Sequence, residues 1–181
     1  NYALCPAVSI DEIVMQTVKS LAWLYRNGRR YGFDPNRIYV GGHSAGGHLT
    51  AMMLCALWRD YAPDLPVDLV KGGLSISGIY DLAPMVQTDF LNVDLKLDLP
   101  HAHRLSPVFM APATHAPVIT AVGGDESSEF HRQNALLAAA WPKHVRHDVP
   151  MPGDNHMTVC GKLAQPGSAL FQAVVDLCRH G

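Results

Sequence analysis

The sequence has few charged residues and no cluster of basic ones. Charged side chains make up 17% of the 181 residues, and the formal net charge is −2. Proteins that bind nucleic acid or an anionic membrane through charge carry a block of lysine and arginine. No nucleic acid is therefore expected as a partner. The sequence also lacks any apolar run near the ~18 residues that a membrane-spanning helix requires, so no membrane partner is expected either.

Paired cysteines and clustered metal ligands are also missing. The four cysteines are Cys5, Cys55, Cys160 and Cys178. They show no Cys-x-x-Cys spacing, and three lie in apolar stretches, so we interpret them as buried, reduced thiols of a cytoplasmic protein, with disulfides as the alternative. His101 and His103 have metal-ligand spacing, but no further ligands follow at suitable positions. No metal and no cofactor are expected.

A starting methionine is absent as well. The chain begins at Asn1, and Tyr2 to Leu4 resemble the tail of a strand already under way. We expect a piece of a longer protein, so that any signal peptide would lie out of view. The length and the 48% share of hydrophobic residues suit one globular domain spanning residues 1–181, and no internal repeat is visible.

The most informative segment present is Gly42-His43-Ser44-Ala45-Gly46, which follows the apolar run Ile38–Val40. A strand that ends in Gly-x-Ser-x-Gly and turns at once into a helix is typical of a nucleophile elbow, in which the serine hydroxyl stands exposed above the sheet. A glycine-rich turn or a phosphate loop is the alternative. A phosphate loop requires Gly-Lys-Ser/Thr, and this segment has no lysine. Ser44 is therefore predicted to be a nucleophile.

Apolar patterning predicts alternating helices and strands. Ser9 and Glu12 fit a capping box at the start of the first helix, which Gly28 ends. The expected strands are Ile38–Gly41, Leu69–Ile79, Pro117–Val122 and His144–Val149, and the further helices are His48–Trp58, one through Phe130 and Trp141, and one from Leu170 to Cys178. Residues 80–116 show little periodicity and are interpreted as an excursion. This order predicts an α/β fold with a mostly parallel sheet covered by helices on both faces.

A serine nucleophile needs a base within hydrogen-bond reach and an acid that orients the base. In folds of this kind the chain order is serine, acid, histidine, at the carboxyl ends of strands. Asp125 and Glu126 follow the third expected strand, and spacing alone leaves the choice between them open. His156 lies in a polar, glycine-containing loop after the last expected strand. It is favoured over the other nine histidines, which are expected to be structural or surface residues.

These residues resemble those of a known family. The chain resembles the kynurenine formamidase (arylformamidase) branch of the α/β-hydrolases, close to the hormone-sensitive-lipase-like esterases. The matching segments include Tyr2–Pro6, Asp34–Ile38, Gly42–His48, Ser77–Leu82 with Pro84, and Glu129–Gln133, followed by His156. Aligned on Glu129-Phe130, the resemblance implies that Glu126 is the acid, with Asp125 in reserve. It also implies that the Ala45 N–H is one oxyanion-hole donor.

The resemblance also implies a segment that this sequence does not contain. Enzymes of the family share a His-Gly-Gly segment and two or three opening strands before the point that aligns with Asn1. The chain is therefore expected to be the C-terminal two-thirds of a single α/β-hydrolase domain. The remaining portion, roughly one hundred residues, is expected to be a separate chain or a segment outside this sequence.

The function implied is hydrolysis of a small carboxylic ester or of an aryl formamide like N-formylkynurenine through an acyl-enzyme. The excursion is expected to roof the acyl or aryl pocket, the alternative for any one residue being simple packing; the residues in question are Met85, Phe90, Leu91 and Leu97. Two other functions stay open: a non-catalytic binding module that keeps the fold, and an acyltransferase. The filled positions Ser44, Glu126 and His156 argue against a decayed site.

Overall fold

A computed structural model describes residues 1–180 and contains a four-stranded parallel sheet in the order β1-β2-β3-β4. The strands are β1 (Ile38–His43), β2 (Val70–Ile76), β3 (Val118–Gly123) and β4 (Val145–Met151). The side chain of His180, one of the nine histidines expected to be structural or surface residues, lies outside the described part, as does Gly181. The predicted α/β fold with a parallel sheet is confirmed.

Eight helices accompany the strands in the described residues. They are α1 (Ile10–Asn27), α2 (Ala45–Cys55), α3 (Trp58–Tyr61), α4 (Ala83–Val86), α5 (Asp89–Leu95), α6 (Leu99–Arg104), α7 (Ser128–Ala140) and α8 (Ala169–His180). Short 3₁₀ turns occupy Gly28–Tyr31, Pro107–Phe109 and Val159–Ala164. The capping box predicted for α1 is present, since the Ser9 side chain accepts from the Glu12 N–H and the Glu12 side chain accepts from the Ser9 N–H.

Two apolar clusters cover the two faces of the sheet. One cluster joins α1, α2 and α7 to the sheet through residues such as Leu21, Met53 and Leu137. The other joins α8 to the opposite face, where Leu170 and Leu177 pack with residues of β2, β3 and β4. Helices therefore lie on both faces, and burial of these side chains is the main force that holds the layers together.

The strand register brings the carboxyl ends of all four strands to one edge. His43 at the end of β1 pairs with Ile76 at the end of β2, and Ile76 pairs with Ala121 in β3. Gly123 at the end of β3 pairs with Met151 at the end of β4. The loops that follow the strands consequently meet at this edge, which is where open α/β sheets carry their sites.

Several element ends differ from the prediction by one to three residues, and two of them have a clear structural cause. The helix expected over His48–Trp58 stops at Cys55, because Ala56 is extended and the Leu54 carbonyl accepts from the distant Ala113 N–H. A new turn then places Trp58, which is fully buried, in the core. The strand expected to reach Ile79 stops at Ile76, because Ser77 takes a left-handed φ of 48°.

The excursion at residues 80–116 contains the short helices α4, α5 and α6. Each has seven residues or fewer, which is too short to produce a readable helical period. The excursion packs on the α1, α2 and α7 side through Tyr80, Leu82 and Leu105, which are buried there.

Candidate active site

The turn between β1 and α2 has the backbone geometry of a nucleophile elbow. Ser44 has φ 57° and ψ −116°, a combination that is strained for any residue other than glycine. Its N–H donates to the Ile76 carbonyl at 2.9 Å, which fixes the turn against the end of β2. A Cβ on Gly42 would lie 2.3 Å from the Gly46 carbonyl oxygen, so the turn closes only with glycine at position 42.

The start of α2 lies close to the loop after β2. A Cβ on Gly47 would approach the Gly78 Cα to 2.7 Å, so glycine at this position permits the close packing. Ala45 is the first residue of α2, and the first amides of a helix have no acceptor within the helix. The positive end of the helix dipole and the Ala45 N–H therefore lie beside the Ser44 hydroxyl, where a negative charge would be stabilised.

His156 connects the serine to an acid. Its Nε2 lies 3.1 Å from Ser44 Oγ, and its Nδ1 lies 2.7 Å from Glu126 Oε2. A proton on Nδ1 can be donated to the carboxylate, which leaves the Nε2 lone pair facing the serine hydroxyl. The three side chains come from three separate strand ends and form one continuous hydrogen-bonded row.

Backbone hydrogen bonds hold the acid loop and the histidine loop together. The Gly124 N–H donates to the Met151 carbonyl at 2.8 Å, and the Asp125 N–H donates to the Asp154 carbonyl at 3.0 Å. The Asn155 side chain accepts from the N–H groups of Met157 and Thr158, which closes a tight turn around His156. These bonds fix the distance between Glu126 and His156 independently of their side-chain contact.

The side chain of Glu126 is fully buried and has three hydrogen-bond donors. Oε1 accepts from Ser77 Oγ at 2.5 Å and from the Gly123 N–H at 2.8 Å, while Oε2 contacts His156. Burial alone would raise the pKa of Glu126, but the bonds from Ser77, Gly123 and His156 outweigh it and lower the pKa below its ordinary value. The carboxylate is therefore ionised at neutral pH.

Asp125 takes no part in this row. Its side chain is exposed to solvent, and its described hydrogen bond is the backbone bond to Asp154. The structure thus brings together Ser44, Glu126 and His156, with Ala45 beside the serine, and leaves the reserve acid at the surface.

Three residues at the site have no role in the sequence prediction. Ser77, which is buried, holds the acid, and the rings of His43 and Phe130 each lie 4.3 Å from the His156 ring, centroid to centroid. From the sequence, His43 is expected to be a structural or surface residue, and in the structure its ring packs against that of His156. Ser77 and Phe130 belong to segments that carry the family resemblance, and Ser77 directly follows a strand at the site edge, which is the signal that could have identified it.

An apolar cavity of about 330 Å³ opens next to Ala45. Helices α1, α4 and α5 line it together with residues 2–5, and Met85, Phe90 and Leu91 of the excursion are among its walls. Asp94 is the one carboxylate among the lining residues. Leu97 does not reach the cavity and is instead buried in the core at 5% exposure, so for Leu97 the simple packing alternative applies.

The histidine pair and the cysteines considered in the sequence analysis lie outside the row of Ser44, His156 and Glu126. His101 pairs with Asp11 of α1, while His103 stacks on Phe109, so the two histidines have different partners. Among the described side chains, which exclude that of His180, no group of three or more is arranged to bind a metal ion. The four cysteines are free and half-buried rather than fully buried. Across residues 1–180, no helix is both long and apolar enough to cross a bilayer.

Known proteins match this chain, in sequence and in structure, over most of the length of the chain. The family model of the alpha/beta hydrolase fold matches residues 1–97. A kynurenine formamidase from Salmo salar is 30% identical over 187 residues, which covers 98% of this chain and 60% of the relative. The chain therefore spans about three-fifths of the length of that relative.

Two solved structures illustrate the structural likeness. A candidate thioesterase from Silicibacter sp. TM1040 superposes with a TM-score of 0.81 at 32% identity, covering 97% of this chain and 62% of that one. An esterase from Pyrobaculum calidifontis has a TM-score of 0.76 at 18% identity, covering 99% of this chain and 64% of that one. The second likeness concerns the fold alone.

Proposed function

Because this chain belongs to the α/β-hydrolase fold family, we propose that it is a serine hydrolase that cleaves a small carboxylic ester or an aryl formamide through an acyl-enzyme. The observation that carries the proposal is the row of contacts from Ser44 Oγ to His156 and from His156 to Glu126. A hydroxyl, an imidazole and a buried carboxylate in this order form the arrangement that activates a serine.

In the acylation step, Ser44 Oγ attacks the substrate carbonyl carbon while His156 Nε2 accepts the hydroxyl proton. The carbonyl oxygen becomes negative, and the proposed donor that stabilises it is the Ala45 N–H at the start of α2. His156 then gives its proton to the departing alcohol or amine, and the acyl group stays on Ser44. Water then attacks the acyl carbon while His156 again acts as base. His156 returns the proton to Ser44 Oγ, and the free acid leaves.

The proposed role of Glu126 is to orient His156 and to stabilise its positive form. Its ionised carboxylate accepts from Nδ1, which keeps Nε2 free to act as the base. Since Ser77 and Gly123 satisfy the other carboxylate oxygen, Glu126 cannot rotate away without losing two hydrogen bonds.

Two substrate classes are supported by different observations. The Salmo salar relative, a kynurenine formamidase, supports an aryl formamide. The apolar cavity beside Ala45 supports an uncharged acyl or aryl group, because its walls offer apolar surface and a single carboxylate, Asp94. Comparing the turnover of N-formylkynurenine with that of p-nitrophenyl esters distinguishes an aryl formamide substrate from a carboxylic ester substrate.

Active-site labelling tests the proposal itself. A fluorophosphonate probe is expected to react with the purified protein at Ser44, as located by peptide mass spectrometry, and the change Ser44→Ala should abolish the label. Ser127→Ala is a matched control, since Ser127 is exposed and its side chain caps nothing. An unlabelled wild-type protein would instead support a binding module, and ester products formed from added alcohols would support an acyltransferase.

A further inference from the structure

The imidazole of His156 contacts two other rings besides its polar partners. The His43 ring lies 4.3 Å away at an angle of 43°, and the Phe130 ring lies 4.3 Å away at 27°. His43 comes from the end of β1, and Phe130 comes from the first turn of α7. Two separate elements thus place aromatic surface against the same imidazole.

His43 also lies close to the backbone of His156. The His156 backbone is near enough to the His43 ring to raise the pKa of His43, although burial and the His156 ring outweigh that effect. The Nε2 of His43 is buried and has no hydrogen-bond partner among the described residues. An unpaired buried nitrogen is costly, and the described interaction that accounts for a histidine at position 43 is its ring contact with His156.

The charge of His43 is suited to this position. Burial lowers the pKa of His43, and the proximity of the His156 ring lowers it further, while the His156 backbone and Glu126 act in the opposite direction. His43 is therefore neutral at neutral pH. When His156 takes the proton of Ser44, the new cation faces a neutral ring rather than a second positive charge.

We propose that His43 and Phe130 are positioning residues that clamp the His156 imidazole and stabilise its protonated form during acyl transfer. This inference rests on the proposed serine-hydrolase function. The clamp restricts rotation of the ring, so that Nε2 stays directed at Ser44 Oγ, and such alignment of reacting groups is a large part of catalysis. The faces of neutral aromatic rings also attract a cation, which favours the imidazolium once it forms.

Single substitutions separate the contribution of the His43 ring from that of the Phe130 ring. His43→Asn keeps a polar side chain but removes the ring, whereas His43→Phe keeps a ring and removes the ring nitrogens. Phe130→Leu removes the second ring while keeping apolar volume. His131→Asn is the matched control, since His131 is the exposed neighbour of Phe130 on α7.

The measurements are kcat, KM and the pH dependence of kcat/KM with a p-nitrophenyl ester. His43→Asn is expected to lower kcat by up to about 10²-fold with little change in KM, and His43→Phe and Phe130→Leu by less. The acid limb of the profile should also move to lower pH in His43→Asn and Phe130→Leu, because the imidazolium loses stabilisation. The titratable groups that contact the His156 ring are His43 from β1 and Glu126 from the loop after β3.

The possible outcomes distinguish this inference from the function on which it rests. If the wild-type protein turns over the ester and all three variants match it in kcat and in pH profile, the clamp is refuted and the serine hydrolase stands. If the wild-type protein neither reacts with a fluorophosphonate nor hydrolyses the ester, both proposals fall. Circular dichroism checks folding, and should His43→Asn unfold, His43→Phe and Phe130→Leu carry the same test.

Discussion

The side-chain amide of Gln133 is hydrogen-bonded to both backbone groups of Asp81. Its Oε1 accepts from the Asp81 N–H at 2.8 Å, and its Nε2 donates to the Asp81 carbonyl at 2.9 Å. Gln133 is buried at 1% exposure and lies in α7, one turn after Phe130. Two of the segments that carry the family resemblance, Ser77–Leu82 and Glu129–Gln133, are therefore joined directly in space.

The first prediction concerns the stability of this junction. Gln133→Glu keeps the size of the side chain but replaces the donor to the Asp81 carbonyl by an acceptor. Nε2 also donates to Glu129 Oε1 at 2.7 Å, so the new carboxyl group would face the Glu129 carboxylate. An unsatisfied buried group costs about 1–3 kcal/mol, and we expect the free energy of unfolding in urea to fall by at least that amount. Gln87→Glu, at an exposed position in the excursion, should leave it nearly unchanged. Equal midpoints and slopes for the two variants would contradict the prediction.

The second prediction identifies the acid. Glu126→Gln retains the shape of the side chain but removes the charge that stabilises the protonated His156, so kcat should fall by about 10⁴-fold. Asp125→Asn should keep near wild-type kcat, because Asp125 is exposed and does not contact the histidine. Steady-state kinetics on one ester measures both. The reverse order of effects would make Asp125 the acid.

The third prediction concerns Ser77, which donates to the other oxygen of Glu126. Hydrogen bonds to charged groups contribute about 1.5–3 kcal/mol. Removing this one leaves the Gly123 N–H as the described donor to Oε1, so the carboxylate is held less firmly. We expect Ser77→Ala and Ser77→Gly to lower kcat similarly, by roughly tenfold or more on that scale, with KM little changed.

Comparing Ser77→Ala with Ser77→Gly separates the effect of losing the hydroxyl group from the effect of backbone strain at position 77. Ser77 has φ 48°, which glycine adopts without strain and alanine does not. Ser77→Gly should therefore unfold at a higher temperature than Ser77→Ala. If only Ser77→Ala loses activity, backbone geometry rather than the hydroxyl matters, and the prediction is wrong.

The fourth prediction links His48 to stability at acid pH. Burial lowers the pKa of His48 below the ordinary 6.5, although its bond to the Leu105 carbonyl opposes the shift. Below about pH 6.5 the unfolded chain therefore binds a proton at His48 that the folded chain does not bind. The stability of the fold consequently decreases as the pH decreases. This one group can contribute a slope of up to about 1.4 kcal/mol per pH unit.

Urea unfolding at pH 7.5, 6 and 5 checks this dependence. His48→Gln can still donate to the Leu105 carbonyl but does not titrate, so its stability should fall less steeply between neutral and acid pH than that of the wild-type protein. His131→Gln changes an exposed histidine and should keep the wild-type slope. A wild-type slope in His48→Gln would rule out His48 as the cause.

The elements that could be predicted from the sequence are those with local signals. Ser9 and Glu12 are three residues apart and bond to each other, so the start of α1 is visible in the sequence. The elbow is visible for the same reason, since the close approach of Gly42 and Gly46 involves five consecutive residues. The end of α2 had no local signal, because Ala113, far along the chain, accounts for it.

The sequence by itself determined the alternation of helices and strands, the strained turn at Ser44 and the chain order of the proposed nucleophile, acid and base. Only the tertiary structure decided that Ser77 holds Glu126, that His43 and Phe130 lie against His156, and that Leu97 packs in the core. The reason is that Ser77 and Glu126 are 49 residues apart, so their contact depends on the pairing register of β2 and β3. Backbone periodicity records which face a residue occupies, but it does not record which distant side chain it meets there.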